Sequence, residues 1–182
     1  MPFSKGHEMT AANIAPPAAS EYAEYYQQYL GKVPEGDFLA AFDAQPGMLR
    51  TLVGNLPNGE DNKLHEPYTW TLKQVVGHLI DVERIFSTRM LRIGVGDETP
   101  LPGFEQNAYV AALDYETVSM DALLDEFEAL RRANAILARR MGPEALARVG
   151  TASDDLVSAR ANLYILCGHV EYHAEIMRTR LA

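Results

Sequence analysis

Disulfides play no part in this chain. Its 182 residues include one cysteine, Cys167, and a single thiol closes no internal bridge, as suits a reducing cytosol. Cys167 lies in the apolar run Leu163-Tyr164-Ile165-Leu166-Cys167, where a small buried filler is the ordinary role and a nucleophile the less favoured one. Long hydrophobic runs are missing too. No stretch offers the roughly 20 uninterrupted apolar residues of a membrane span. Residues 1–19, broken by Pro2, Pro16 and Pro17, have no signal-peptide core. The expectation is a cytoplasmic protein without a membrane partner. Positive charge is scarce: 16 Lys and Arg against 25 Asp and Glu leave a net charge of -9. Such a surface repels phosphate backbones, so nucleic acid is not an expected partner. Neither a phosphate-cradling GxxxxGK run nor GxGxxG after a strand occurs, which disfavours nucleotide chemistry.

What the chain has is helical periodicity. With 47% hydrophobic and 23% charged residues, it suits one soluble domain with a real core. Residues 1–19 read as a loose lead-in and residues 20–182 as the domain. Ser20 can cap a first helix over residues 21–30, whose Tyr22, Tyr25, Tyr26 and Tyr29 form one stripe for the core or for an interface. A second helix spans residues 37–56, with a kink or break at Pro46-Gly47. After a polar loop over residues 57–68, Thr69 or Thr71 caps a long helix reaching Ile93. Residues 94–118 form a long connection with a short helix near residues 104–113. Ser119 caps the next long helix, Gly142-Pro143 stops it, and a last helix covers residues 157–181. No strand alternation is credible, so the fold class is all-α, a four-helix bundle.

The histidines carry the chemistry. His7 and His65 have no obvious partner in sequence. His169 and His173, spaced i, i+4 on the last helix, project from one face and can bite one metal ion. A third ligand must come from another element. His78 is the best candidate, because it sits on the buried stripe of Val75, Val76, Leu79 and Val82, where an unpaired imidazole costs about 1–3 kcal/mol. The plainer reading leaves all three as core histidines that merely hydrogen-bond. Gln74 and Asp81 flank His78 on one face. Asp81 is a candidate to hold the ring or act as a base, or else to pair with Arg84 or Arg89. Tyr172 is a second candidate beside His173. Glu83 and Glu171 are rotated away from the site.

Two blocks then stand out: Trp70-Thr71 leading into Val76-Gly77-His78-Leu79-Ile80-Asp81-Val82-Glu83, and Gly168-His169-Val170-Glu171-Tyr172-His173. With Arg89-Met90 and Leu101-Pro102-Gly103-Phe104-Glu105 between them, the sequence resembles the DinB-like (YfiT-like) superfamily of metal-binding four-helix bundles over about residues 22–181. The resemblance implies an up-down-down-up bundle, with residues 94–118 as the crossover, and a metal triad of His78, His169 and His173. It also implies nickel or zinc as the metal, a homodimer, and activities that include transfer of low-molecular-weight thiols and thiol-dependent isomerisation. The reading that follows is a metal-dependent transferase of the small-thiol type, or a hydrolase, acting on a small molecule. Its alternative is a metal-holding or stress-related module without turnover.

Overall fold

The computed structural model describes residues 14–182. His7 and most of the expected loose lead-in lie outside the described residues. Ile14 is buried, and its carbonyl accepts from Tyr164 Oη at 2.6 Å. The helix expected over residues 21–30 is instead two 3-10 turns, Ala19–Glu21 and Glu24–Tyr26, followed by the single turn α1 (Gln27–Leu30). Isolated helices this short are marginal, and tertiary anchors win: Glu21 is claimed by Arg160, whose Nε donates to it at 2.7 Å.

Side-chain caps start each long helix. Asp37 accepts the Ala40 amide on α2 (Phe38–Val53), and Thr71 with Gln74 forms a reciprocal capping box on α3 (Leu72–Gly94). Of the kink or break expected at Pro46-Gly47, the break does not occur: α2 runs on through Pro46. The crossover contains α4 (Gln106–Ala112). Ser119 caps α5 (Met120–Arg140), and the short α6 (Pro143–Ala147) follows. Next comes an antiparallel hairpin, β1 (Val149–Ala152) with β2 (Asp155–Ser158), in a region expected to hold no strand. Its two-residue turn places Ser153 and Asp154 at φ 55° and 66°, the left-handed backbone of a tight hairpin loop. Four-residue strands are too short to show alternation. Ser158 then caps α7 (Ala159–Leu181). No helix among the described residues is long and apolar enough to cross a membrane.

Side-chain pairs give the helix directions. Arg50 meets Asp125 while Arg139 meets Asp43, so α2 and α5 are antiparallel. Gly77 abuts Tyr115 while Gly94 abuts Met141, so α3 runs parallel to α5. Phe38 stacks on Tyr164 and Gln45 reaches Glu171, so α2 runs parallel to α7. This is the up-down-down-up bundle, with the crossover joining parallel neighbours α3 and α5.

A polar layer divides the apolar core. On one side lie Phe42, Phe86 and Met90 with their neighbours, and on the other Leu79, Phe127 and Met177 with theirs. Between them, Arg131 and Glu83 form an ion pair, each 1% exposed. Asn134 donates to the other Glu83 oxygen at 2.7 Å, and Arg131 donates to Gln45 Oε1 at 2.9 Å and to the Leu166 carbonyl. Gln45 passes the contact on to Glu171 and to the Cys167 carbonyl. The guanidinium lies 3.9 Å from the Phe42 ring centre and 5.2 Å from that of Phe127. All four long helices therefore meet at one arginine. Breaking a buried pair leaves an uncompensated charge. Arg131→Met should lower the unfolding free energy by about 3–5 kcal/mol, measured by urea denaturation, and the double variant Glu83→Leu/Arg131→Met should recover part of that loss.

Candidate metal centre

The cluster is built by α3 and α7. His78 faces inward from α3, while His169 and His173 lie one above the other on α7. His169 Nε2 lies 3.1 Å from His78 Nε2 and 3.1 Å from His173 Nε2. One ligand nitrogen from each ring fits within 4.8 Å of the others. Nitrogens bound to one ion at about 2.0–2.1 Å in tetrahedral geometry stand about 3.3 Å apart, close to this spacing. Hydrogen bonding alone fits worse. A neutral imidazole nitrogen offers either one proton or one lone pair, so His169 Nε2 cannot satisfy two facing nitrogens. A shared cation satisfies all three, and the site is able to chelate a divalent metal.

Burial sets the charge state. It is the largest cause in each case and pushes His78 down to about 4 and His173 to about 3; His169 falls well below the usual histidine range, with its two histidine neighbours adding to the effect. Each ring is therefore neutral at pH 7, as a metal ligand must be.

Two glycines let the walls close in. A Cβ on Gly77 would lie 2.5 Å from the Tyr115 ring, and a Cβ on Gly168 only 1.9 Å from the Tyr29 carbonyl oxygen. The glycine before His169 thus admits the backbone of α1 against α7. Tyr29 then stands edge-on to His169, ring centres 5.1 Å apart, and to Tyr172 at 5.3 Å. Trp70 lies 5.0 Å from His78. A cleft of about 350 Å³ reaches His78 and His169 between Tyr29, Phe86 and Phe104, with Glu105 and Ser153 also on its lining.

The flanking candidates fall in different places. Tyr172 packs edge-on to His173 at 5.2 Å. Asp81 is buried, and its carboxylate faces the Tyr115 hydroxyl rather than His78. Burial raises its carboxyl pKa. No hydrogen bond joins Asp81 to His78 among the described residues; Arg84 pairs with Glu126, and Arg89 donates to Pro102 and Ser153. Gln74 is spent on the helix cap. Glu83 and Glu171 belong to the polar layer, away from the cluster, as their rotation implied. Cys167 is buried, with its thiol pushed up to about 12 by burial, and is a filler. His65, which lacked a partner in sequence, meets Glu60 and Arg180. Sequence reasoning missed Tyr29 as the buttress of His169, although the residue stood in the tyrosine stripe.

An up-down-down-up bundle with three converging histidines defines a class of metal-binding helical proteins. The sequence profile of the DinB superfamily matches residues 41–177, and the chain belongs to that superfamily. No curated protein matches the sequence. Among solved structures, the chain is similar to YfiT from Bacillus subtilis, described as a probable metal-dependent hydrolase with an unusual four-helix bundle topology. Identity is 18%, the TM-score 0.69, and coverage 92% of this chain and 93% of that one. It is also similar to a mycothiol-dependent maleylpyruvate isomerase at 19% identity and a TM-score of 0.64, over 80% of this chain and 61% of the isomerase. At these identities the likeness concerns the fold.

Two measurements follow. The histidines' folded pKa values lie below the unfolded value of about 6.5, so as pH falls from about 6.5 to about 4 the unfolded chain takes up protons first. Chelator-treated protein should lose stability across that window and change little above it, and His173→Asn should flatten the slope seen in thermal melts. Gly168→Ala should cost about 1–3 kcal/mol through overpacking and weaken zinc binding measured by competition with a chromophoric chelator, because Tyr29 must withdraw from His169.

Proposed function

We propose that this protein is a metal-dependent enzyme that transfers a small thiol to, or rearranges, a small electrophile in the cleft beside the histidine cluster. The observation that carries this reading is a set of three neutral imidazoles joined by no fourth His, Cys, Asp or Glu among the described residues. A divalent ion held by three protein ligands keeps a coordination position open and lowers the pKa of a thiol or water that joins it. His78, His169 and His173 would hold the ion. Tyr29, Trp70 and Tyr172 fix the ring planes and keep water from their backs. Asp81 is a positioning residue in this reading, acting through Tyr115 behind the Gly77-His78 turn.

The absence of a base within the cluster favours the thiol over hydrolysis. Activating a thiol asks only for a lowered pKa, whereas attack by water gains from a nearby carboxylate. Hydrolysis is the second reading, and the observation in its favour is Glu105, the one carboxylate on the cleft lining. Nickel and zinc both suit imidazole ligands.

Elemental analysis of the purified protein should find about one ion per chain, lost in His78→Ala, His169→Ala and His173→Ala. The cobalt-substituted protein should then develop a sulfur-to-metal charge-transfer band with cysteine or another small thiol, and consume a chlorodinitrobenzene electrophile. Turnover of simple esters without any thiol band would move the assignment to a hydrolase. Bound metal with neither response would leave a metal-holding module.

A further inference from the structure

Arg89 is the unusual charge of this fold. Its residue is 3% exposed. Arg50, Arg84, Arg92, Arg131, Arg139 and Arg160 each meet a carboxylate, and among the described residues Arg89 meets none. Its Nη2 donates instead to two neutral oxygens, the Pro102 carbonyl at 2.9 Å and Ser153 Oγ at 2.8 Å, and its side chain also hydrogen-bonds the Tyr26 hydroxyl. Those bonds tie the crossover to the hairpin turn. Its guanidinium lies 4.9 Å from the Phe86 ring centre and 6.0 Å from that of Phe104. Phe86, Phe104 and Ser153 all line the cleft that reaches His78 and His169. Arg89 therefore stands directly behind the cleft wall, fixed by three of the groups that form it.

A guanidinium remains protonated at any working pH, and a buried charge without a counter-ion is costly. The aromatic faces offset part of that cost. The remaining field reaches the cleft across Phe86, Phe104 and Ser153, the groups that both touch the guanidinium and line the cleft. Glu105 on the cleft lining and Asp154 and Asp155 beside Ser153 are exposed, so water and salt screen them.

We propose that Arg89 makes this cleft selective for small anionic ligands, with a flat apolar body against Phe86, Phe104 and Tyr29 and a carboxylate or similar group as its charge. The inference rests on the cleft being the ligand site of the proposed enzyme. Arg89 acts through the wall and is a specificity-determining residue, since it does not reach the histidines.

The test uses benzoate and benzamide, which share a shape and differ in charge, titrated calorimetrically into full-length protein with and without zinc. Wild-type protein should prefer benzoate by about 10-fold or more, as expected for one charge pair in a partly desolvated site. The preference should persist without zinc. Arg89→Gln keeps a donor for Pro102 and Ser153 and should bring the two probes within about 2-fold of each other, with zinc content unchanged. Arg89→Lys should keep most of the preference. The proposal is overturned if folded Arg89→Gln retains the wild-type ratio, if zinc-free wild type shows no preference, or if neither probe binds at millimolar concentration. The zinc-free comparison needs no variant, so it can overturn the proposal even where Arg89→Gln fails to fold, and Arg89→Lys then carries the assignment to this residue. Failure of the wild-type protein to bind zinc would sink the metal-dependent reading and leave this comparison intact.

Discussion

The architecture turns on a single guanidinium. Arg131 sits where the two apolar halves of the core meet, and its partners come from every other long helix: Glu83 on α3, Gln45 on α2 and the Leu166 carbonyl on α7. Hydrophobic burial would accept many rotations of α7, because the buried set in its first half runs almost without interruption from Ala159 to Val170. Hydrogen bonds are directional, and Gln45 binds both the Cys167 carbonyl and Glu171. Those bonds hold the α2-facing side of α7. The opposite side, with His169 and His173, is thereby turned to α3 and His78. Whether such a layer adds net stability over an apolar one is a separate matter; its evident effect here is to choose one rotation among several.

The histidine cluster depends on that choice and on desolvation together. Burial lowers all three pKa values, which leaves lone pairs free at neutral pH. It also makes the uncoordinated site unfavourable, since three nitrogens face one another with too few protons to pair them all. The same burial thus destabilises the empty cluster and prepares it for a cation. Gly77 and Gly168 make it possible, since each gives up a side chain so that a tyrosine can pack within touching distance of the helix backbone. The glycine-histidine pairs in the two sequence blocks are in this sense single units, one residue making room and the next using it.

Much of this was legible. Thr71, Ser119 and the i, i+4 pair on the last helix announced the helices and the face carrying the ligands, because capping and helical spacing are local properties. The hairpin and the tyrosine segment were not. Their conformations are set by distant partners: Leu101 bridges to Ala152, and Arg160 holds Glu21. At Pro46 the helix continues, one of the two outcomes that a kink or a break left open. Arg131 was a readable signal left unread. It lies on the stripe of Leu124, Phe127, Asn134 and Ala138, and a charge on a buried stripe demands an opposite charge from another helix. Glu83, rotated away from the histidines, was the waiting partner.

Arg131 and Arg89 are both almost fully buried and both packed against phenylalanine rings, yet they do different work. Arg131 has its charge answered by Glu83 and its donors taken up by three helices, so little of its field leaves the core. It is an instrument of folding. Arg89 has its donors satisfied by neutral oxygens and its charge unanswered. Packing alone would be served as well by a methionine there, and a bond to Pro102 by a glutamine. Neither would place a permanent positive charge behind the wall of the cleft that opens on the histidines. A chain carrying a net charge of -9 had acidic residues to spare for this arginine, and among the described residues none is paired with it. What remains buried beside the cleft is a charge that only something entering the cleft can meet.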